Sequence, residues 1–370
     1  MARLNMSMEL QFASPFNCVY KRQEAKENPK YPEAEVMGTG AFVEYVKGSH
    51  WRAVRFEQYF RPDRPYLDGY KAIFVRGNTV VHGLRGGQYD AEFRGRTPQE
   101  RDQLVAAMKD HVTVQEGPWV TNILLTFNTE RKPFDDLRVR QALTLAIDRW
   151  GGSESLGKIS LIKGVGGTFR PGASWSLPMS ELEQLPGFWR DMEKARVEAR
   201  RLLREAGQPN LKVKLVNRTI DQPFIPAGIY AVDQWRRIGV ETEHVPLETK
   251  LWYAAMESGE FDVVVQNISD FADDPTAQFK TLPSKHASAI AYSRHSDDKL
   301  DELFNRQSQI VDPQERLKVV NAFERYAMTM AYNIPSLWYQ RIVVNNKKVK
   351  GWDLTPKSLH RPELGRGLAR

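Results

Sequence analysis

Between Asp191 and Gln266 the hydrophobic spacing switches repeatedly between a helical and a strand period, and this alternation restricts the fold more than any other feature. Asp191 to Ala206 carries Met192, Ala195, Ala199, Leu202 and Ala206 on one helical stripe, and Gly207 supplies a stop. Leu211 to Val216 alternates as a strand. Ala227 to Ile238 is helical again and ends at Gly239; Val240 to Val245 returns to strand, and Leu251 to Ser258 to helix. Phe261 to Gln266 is an apolar, β-branched run of the kind buried on both faces. A β-α-β-α-β order of this sort predicts an α/β fold, a sheet covered by helices.

Upstream, Ile123 to Phe127 reads as an extended lead-in, followed by a turn through Lys132-Pro133-Phe134. A helix then starts, with Asp135 or Asp136 placed to accept the free N–H groups of its first turn. Val139, Ala142, Leu143, Ala146 and Ile147 fall on its buried face, and Arg138 and Arg140 are expected to point elsewhere. After Arg149 a glycine-rich loop is expected around Ile159 to Ile162, closing at Pro171-Gly172-Ala173-Ser174-Trp175. Helices follow at Asp297 to Ile310 and Asp312 to Met330, the second capped by Asp312 with Pro313 at its first position, and then strands Ser336 to Val344 and Val349 to Trp352. Nearer the start, strands are expected at Val43 to Val46, Ala53 to Phe56, Ala72 to Val75, Val112 to Val114 and Val120 to Phe127, with a helix from Thr97 to Asp110.

Several function classes drop out. The net charge of +7 suggests nucleic acid, but 53 basic residues are interleaved with 46 acidic ones. The densest basic cluster, Arg196 to Arg204, shares its helix with Glu193, Glu198 and Glu205, so it reads as a solvated face, and no nucleic-acid partner is expected. The single cysteine, Cys18, excludes an internal disulfide and a cysteine-based metal cluster. The seven histidines include no i, i+4 pair, so neither a metal site nor a cofactor is expected, and without a G-x-S-x-G elbow an enzyme is not. No apolar run is long enough to span a membrane.

The literal strings carry more than the periodicity. Phe127-Asn128-Thr129, Pro133-Phe134-Asp135-Asp136, Arg138-Val139-Arg140-Gln141-Ala142-Leu143 and Ala146-Ile147-Asp148-Arg149 together resemble the signature of the family-5 extracellular solute-binding proteins, the dipeptide-, oligopeptide-, nickel- and opine-binding components of bacterial ABC importers. Gly38-Thr39-Gly40-Ala41-Phe42 and Pro65-Tyr66-Leu67-Asp68-Gly69 are similar to further blocks of that family, as are Gln234-Trp235 with Ile238-Gly239-Val240 and Gly259 with Phe261-Asp262-Val263. The resemblance runs from about Ser14 to Trp352 and covers the later part of the family fold. It implies a periplasmic binding protein-like (type II) α/β fold of two lobes around a hinge, with the first lobe incomplete. The expected division is 1–126 for the partial first lobe, 127–333 for the second, and 334–370 for the return to the first. The implied mechanism is capture of a small solute in an interlobe cleft by a monomer and delivery to an ABC transporter permease, in the periplasm or outside the cell. The N-terminus MARLNMSMELQFASPF lacks a basic–apolar–small cleavage pattern, so an export signal is not expected within these residues. A ligand-sensing regulator on the same lobes and an unrelated hydrolase are the competing classes.

Candidate binding residues follow the buried strand, because open α/β sheets bind ligands outside the carboxyl ends of their strands. Asn267, Ser269, Asp270, Phe271 and Asp273 lie in that polar stretch, for which an Asx-type turn before Pro275 is the ordinary structural alternative. In peptide-binding members of the family an aspartate in this loop pairs with the ligand's α-amino group, a few residues before an acidic–Pro pair. Asp274-Pro275 matches that pair, which puts Phe271 where the aspartate would stand, with Asp270 one residue away. The solute is therefore expected to be peptide-like, opine-like or amine-bearing. Trp175, Trp252, Tyr253 and Trp338 are aromatic candidates, against the commoner role of core packing, and Asn128 is a candidate at the first lobe crossing.

Overall fold

A computed structural model of the chain describes residues 38–46, 50–75, 77–92, 94–269, 274–352 and 354. These form two compact units, one of Gly117–Arg341 and one of 38–116 with 342–354.

The smaller unit holds an antiparallel sheet of β1 (Phe42–Val46), β2 (His50–Arg55) and β3 (Gly69–Ile73). Helices α1 (Asn78–Arg85) and α2 (Pro98–Met108) bury Val80, Val81, Leu84 and Leu104 against Val344. Thr97 and Glu100 close a reciprocal capping box at the start of α2, and Pro98 sits at its first position, where no N–H is needed by the helix.

The larger unit is organised on a six-stranded sheet of order β5-β9-β4-β8-β6-β7. Its strands are β4 (Val112–Phe127), β5 (Ile162–Gly164), β6 (Lys212–Arg218), β7 (Glu241–Leu247), β8 (Val263–Ser269) and β9 (Asn333–Asn346). β8 is antiparallel to β4, from Thr121 opposite Ser269 to Phe127 opposite Val263. β6 is parallel to both β7 and β8. Ile123, Leu124 and Leu125 of β4 and Val263, Val264 and Val265 of β8 are all buried, so both faces of the central strands are covered and their apolar runs are continuous. Around the sheet lie α3 (Leu137–Ala146), α4 (Arg149–Ile159), α5 (Met179–Leu182), α6 (Met192–Glu205), α7 (Phe224–Arg236), α8 (Thr249–Ser258), α9 (Pro275–Phe279), α10 (Asp298–Gln307) and α11 (Pro313–Met330). Trp235 of α7 is wholly buried and donates its Nε1 hydrogen to Leu143 O at 3.0 Å, fixing α7 to α3.

Four local expectations need correction. Residues 112–127 form one strand, not two: Pro118 pushes the preceding Gly117 into extended backbone, so the pair continues the strand. The glycines after Arg149 lie in a helix, not a loop. Asp148 caps α4 by accepting from Gly151 N at 2.8 Å, and a Cβ on Gly151 would lie 2.4 Å from that carboxylate. Residues 349–352 are not a strand, because Val349 N donates back to Asn346 O and turns the chain. Arg140 is buried. Its guanidinium donates to Phe134 O, Asp135 O and Met330 O, and lies 4.6 Å above the Tyr332 ring; burial lowers its pKa. Of the two possible caps for α3, Asp136 is the one used, accepting from Arg138 N.

Asp312 caps α11, the longest helix described, by accepting from Gln314 N at 3.0 Å and Glu315 N at 2.8 Å. Asp312→Ala is expected to lower the unfolding free energy by about 1 kcal/mol, read from the urea midpoint, with an unchanged midpoint as the contrary result.

Candidate functional site

Because β6, β7 and β8 run parallel, Arg218, Leu247 and Ser269 finish on one edge of the sheet. The antiparallel β4 brings Thr121 and Asn122 to the same edge and carries Phe127 to the opposite one, six residues and roughly 20 Å away.

Arg218 ends β6 at this edge and brings a guanidinium to it. Its Nε donates to Thr249 Oγ1 at 2.9 Å, and its guanidinium stands 5.5 Å from the Phe224 ring and 5.3 Å from the Trp252 ring. The two rings meet edge to face at 5.9 Å, and Trp252 donates its Nε1 hydrogen to Val265 O at 3.1 Å, so this aromatic floor is fastened to β8. The preceding Asn217 is fully buried. Its Nδ2 donates to Phe224 O at 2.8 Å and lies 2.9 Å from His244 Nε2, while its Oδ1 accepts from Arg218 N at 2.7 Å. Burial lowers the His244 pKa, which keeps its ring neutral and able to accept.

A second cluster lies beyond the end of β8. Asp274 caps α9 by accepting from Thr276 N at 2.9 Å and pairs with Arg316 Nη1 at 3.1 Å, both side chains buried. The glycine-rich loop 165–177 faces it. Glu324 of α11 accepts from Thr168 N at 2.7 Å, Thr168 Oγ1 at 2.8 Å and Leu177 N at 3.1 Å. Burial pushes the Glu324 carboxyl above its usual range even though these hydrogen bonds pull it down.

The sequence-predicted residues divide among these places. Trp252 lies beneath Arg218 as part of the floor, and the half-exposed ring of Tyr253 packs on it at 4.7 Å. Asn267 pairs with Ile123 and Ser269 with Thr121 in the last turns of the β4–β8 ladder. Trp175 is half-buried with the Arg316 guanidinium 5.1 Å from its ring. Trp338 is buried and donates its Nε1 hydrogen to Gly167 O at 3.1 Å, so it holds the loop from below. Asp270, Phe271 and Asp273 lie outside the described residues. Asn128 does not join the others. It sits at the far edge with its Nδ2 on Gly259 O and its Oδ1 on Glu130 N, where β4 has carried it by its length alone. Arg218 escaped the sequence reading, although one signal was present: it lies two residues after the strand expected at Leu211 to Val216, where the strand-end rule applies as much as after Phe261 to Gln266. Among the described residues no three His, Cys, Asp or Glu side chains are grouped to hold a metal ion.

Comparison with known proteins gives a consistent picture. The sequence profile described as bacterial extracellular solute-binding proteins, family 5 Middle, matches residues 4–289. Heme-binding protein A of Haemophilus influenzae is 26% identical over 365 residues, 95% of this chain and 63% of the relative. The dipeptide-binding protein of Escherichia coli is 24% identical over 350 residues, 90% of this chain and 61% of the relative. The chain thus spans about three-fifths of the length of these relatives. Among solved structures, the dipeptide-binding protein of Pseudoalteromonas sp. SM9913 in complex with Met-Leu superposes with a TM-score of 0.79 at 20% identity, covering 95% of this chain and 70% of that one. At that identity the likeness shows the fold, that of a periplasmic binding protein.

Proposed function

The chain belongs to the bacterial extracellular solute-binding proteins of family 5, and on that premise we propose that it is the substrate-binding component of an ABC importer, taking up a small solute that bears a carboxylate. The observation that carries this reading is Arg218. It ends β6 at the edge where open α/β sheets bind ligands, and Thr249 and two rings orient its guanidinium. A planar guanidinium pairs with a carboxylate through two parallel hydrogen bonds. The aromatic floor strengthens that pairing by keeping water from one side of it. Peptide-like and opine-like solutes both carry the required group, whereas an amine without a carboxylate does not. The protein holds the solute as a monomer in the periplasmic or extracellular space, without chemical change, and hands it to a membrane permease. No described helix is long and apolar enough to cross a membrane.

Calorimetric titration of dipeptides and opines, each beside its carboxamide counterpart, tests the assignment. The free acids are expected to bind, and Arg218→Gln is expected to weaken them by about 2 kcal/mol or more while leaving the carboxamides unaffected. Equal binding of acid and amide, or an Arg218→Gln variant that binds acids like the parent, would overturn it.

A further inference from the structure

Loop 165–177 and the 274–279 segment, far apart in sequence, meet the same face of α11. Arg316 of that helix is buried. Its Nη1 pairs with Asp274 Oδ2 at 3.1 Å, its Nη2 donates to Thr276 Oγ1 at 3.2 Å and to Gln307 Oε1 at 3.0 Å, and its plane covers Trp175. One guanidinium therefore holds the cap of α9 and lies 5.1 Å from the aromatic ring at the end of the loop. Glu324, two turns further along, is buried too and takes hydrogen bonds from both halves of the loop, at Thr168 and at Leu177. Its Oε1 lies where a Cβ on Gly167 would come within 2.3 Å, so the loop closes on this carboxylate only because residue 167 is glycine. The two segments also bind each other directly. Gln278 Nε2 donates to Thr168 O at 3.0 Å, and Phe279 contacts Phe169 at 5.0 Å while stacking on Phe323 of α11 at 4.1 Å.

We propose that α11 locks loop 165–177 and segment 274–279 into one cooperative unit through Arg316 and Glu324. This coupling does not rest on the carboxylate-binding reading above. Moving either segment alone would strand buried polar partners of the other, so the cheaper opening is a joint one.

Hydrogen exchange by mass spectrometry on the full chain, without any solute, tests the coupling. Glu324→Gln keeps the shape of the side chain and acts on its hydrogen bonds to the loop; Asp274→Asn keeps the helix cap at α9 and acts on the pairing with Arg316. Glu324→Gln is expected to speed exchange roughly tenfold in peptides covering 274–279 as well as 165–177, and Asp274→Asn to do so in 165–177, with β6 and α7 unchanged in both. Acceleration confined to the segment each side chain touches would overturn the proposal. Should Glu324→Gln accelerate exchange everywhere, the milder Thr168→Val, which removes one hydroxyl donor, is read in its place by the same criterion. If no solute binds yet the exchange patterns follow one another, the carboxylate-binding reading fails and the coupling stands.

Discussion

Replacing Arg149 by methionine is expected to lower the unfolding free energy by about 3–5 kcal/mol, the largest effect of any single side chain described here. The guanidinium is almost completely buried. Its Nε donates to Pro335 O at 2.7 Å, its Nη1 donates to Gly187 O and reaches Thr144 O and Ile147 O at 3.4 Å, and the group lies 4.3 Å above the Phe188 ring. Burial pulls its pKa down to about 9, which leaves it a cation at neutral pH. The carbonyls come from the end of α3, from the segment before α6 and from the start of β9, so one side chain joins three parts of the larger unit. Its position beyond the C-terminus of α3 also suits a positive charge. Methionine replaces most of the volume but takes the guanidinium donor from Pro335 O and Gly187 O, where a buried carbonyl left unpaired costs about 1–3 kcal/mol. Gly187→Ala is expected to fall in the same range: φ is +86° there, and a Cβ would lie 2.5 Å from Arg149 Nη1 and 2.8 Å from Thr144 O. Urea unfolding measures both, and an Arg149→Met variant within 1 kcal/mol of the parent contradicts the assignment.

Between pH 6.5 and about 4 the protein is expected to lose about 3 kcal/mol of stability through His295. The ring is buried, stacked on Tyr332 at 3.8 Å with an interplanar angle of 4°, and its Nδ1 shares a hydrogen bond with Ser293 Oγ at 2.8 Å. Burial lowers its pKa to about 4; Asp297 and Asp301 pull the other way but do not offset it. Below pH 6.5 the unfolded chain takes up a proton that the folded chain refuses until about pH 4, so the contribution is complete above 6.5 and is lost as pH falls. Glu324 acts in the opposite sense, since its raised folded pKa opposes folding as pH rises. His295→Phe keeps the stack and removes the titration. Stability of parent and variant measured across this range should diverge at low pH, and parallel curves would rule the effect out.

How much of this was legible beforehand depended on whether a residue's role lies in its neighbours along the chain. The α/β class followed from periodicity, because burial of one helix stripe or one strand acts on consecutive residues. The caps at Asp136 and Asp312 were legible for the same reason. Arg140 and Arg149 read as surface charge or plain signature, since the carbonyls that satisfy them arrive from residues up to 190 positions away. The helix at Arg149–Ile159 was hidden because its glycines answer to Asp148 and to the Tyr230 ring, and the latter comes from α7.

The candidate site shows the same division. Sequence alone determined which strands end in polar residues, and so nominated Asn267 and Ser269. It could not say which strand ends share an edge. That is decided by strand direction: the parallel pairing of β6 with β8 brings Arg218 to the same edge of the sheet as Ser269, and the antiparallel pairing with β4 sends Asn128 to the other side. A strand's two ends look alike along the chain, and only the direction of its hydrogen-bonded neighbours tells which end faces the solute.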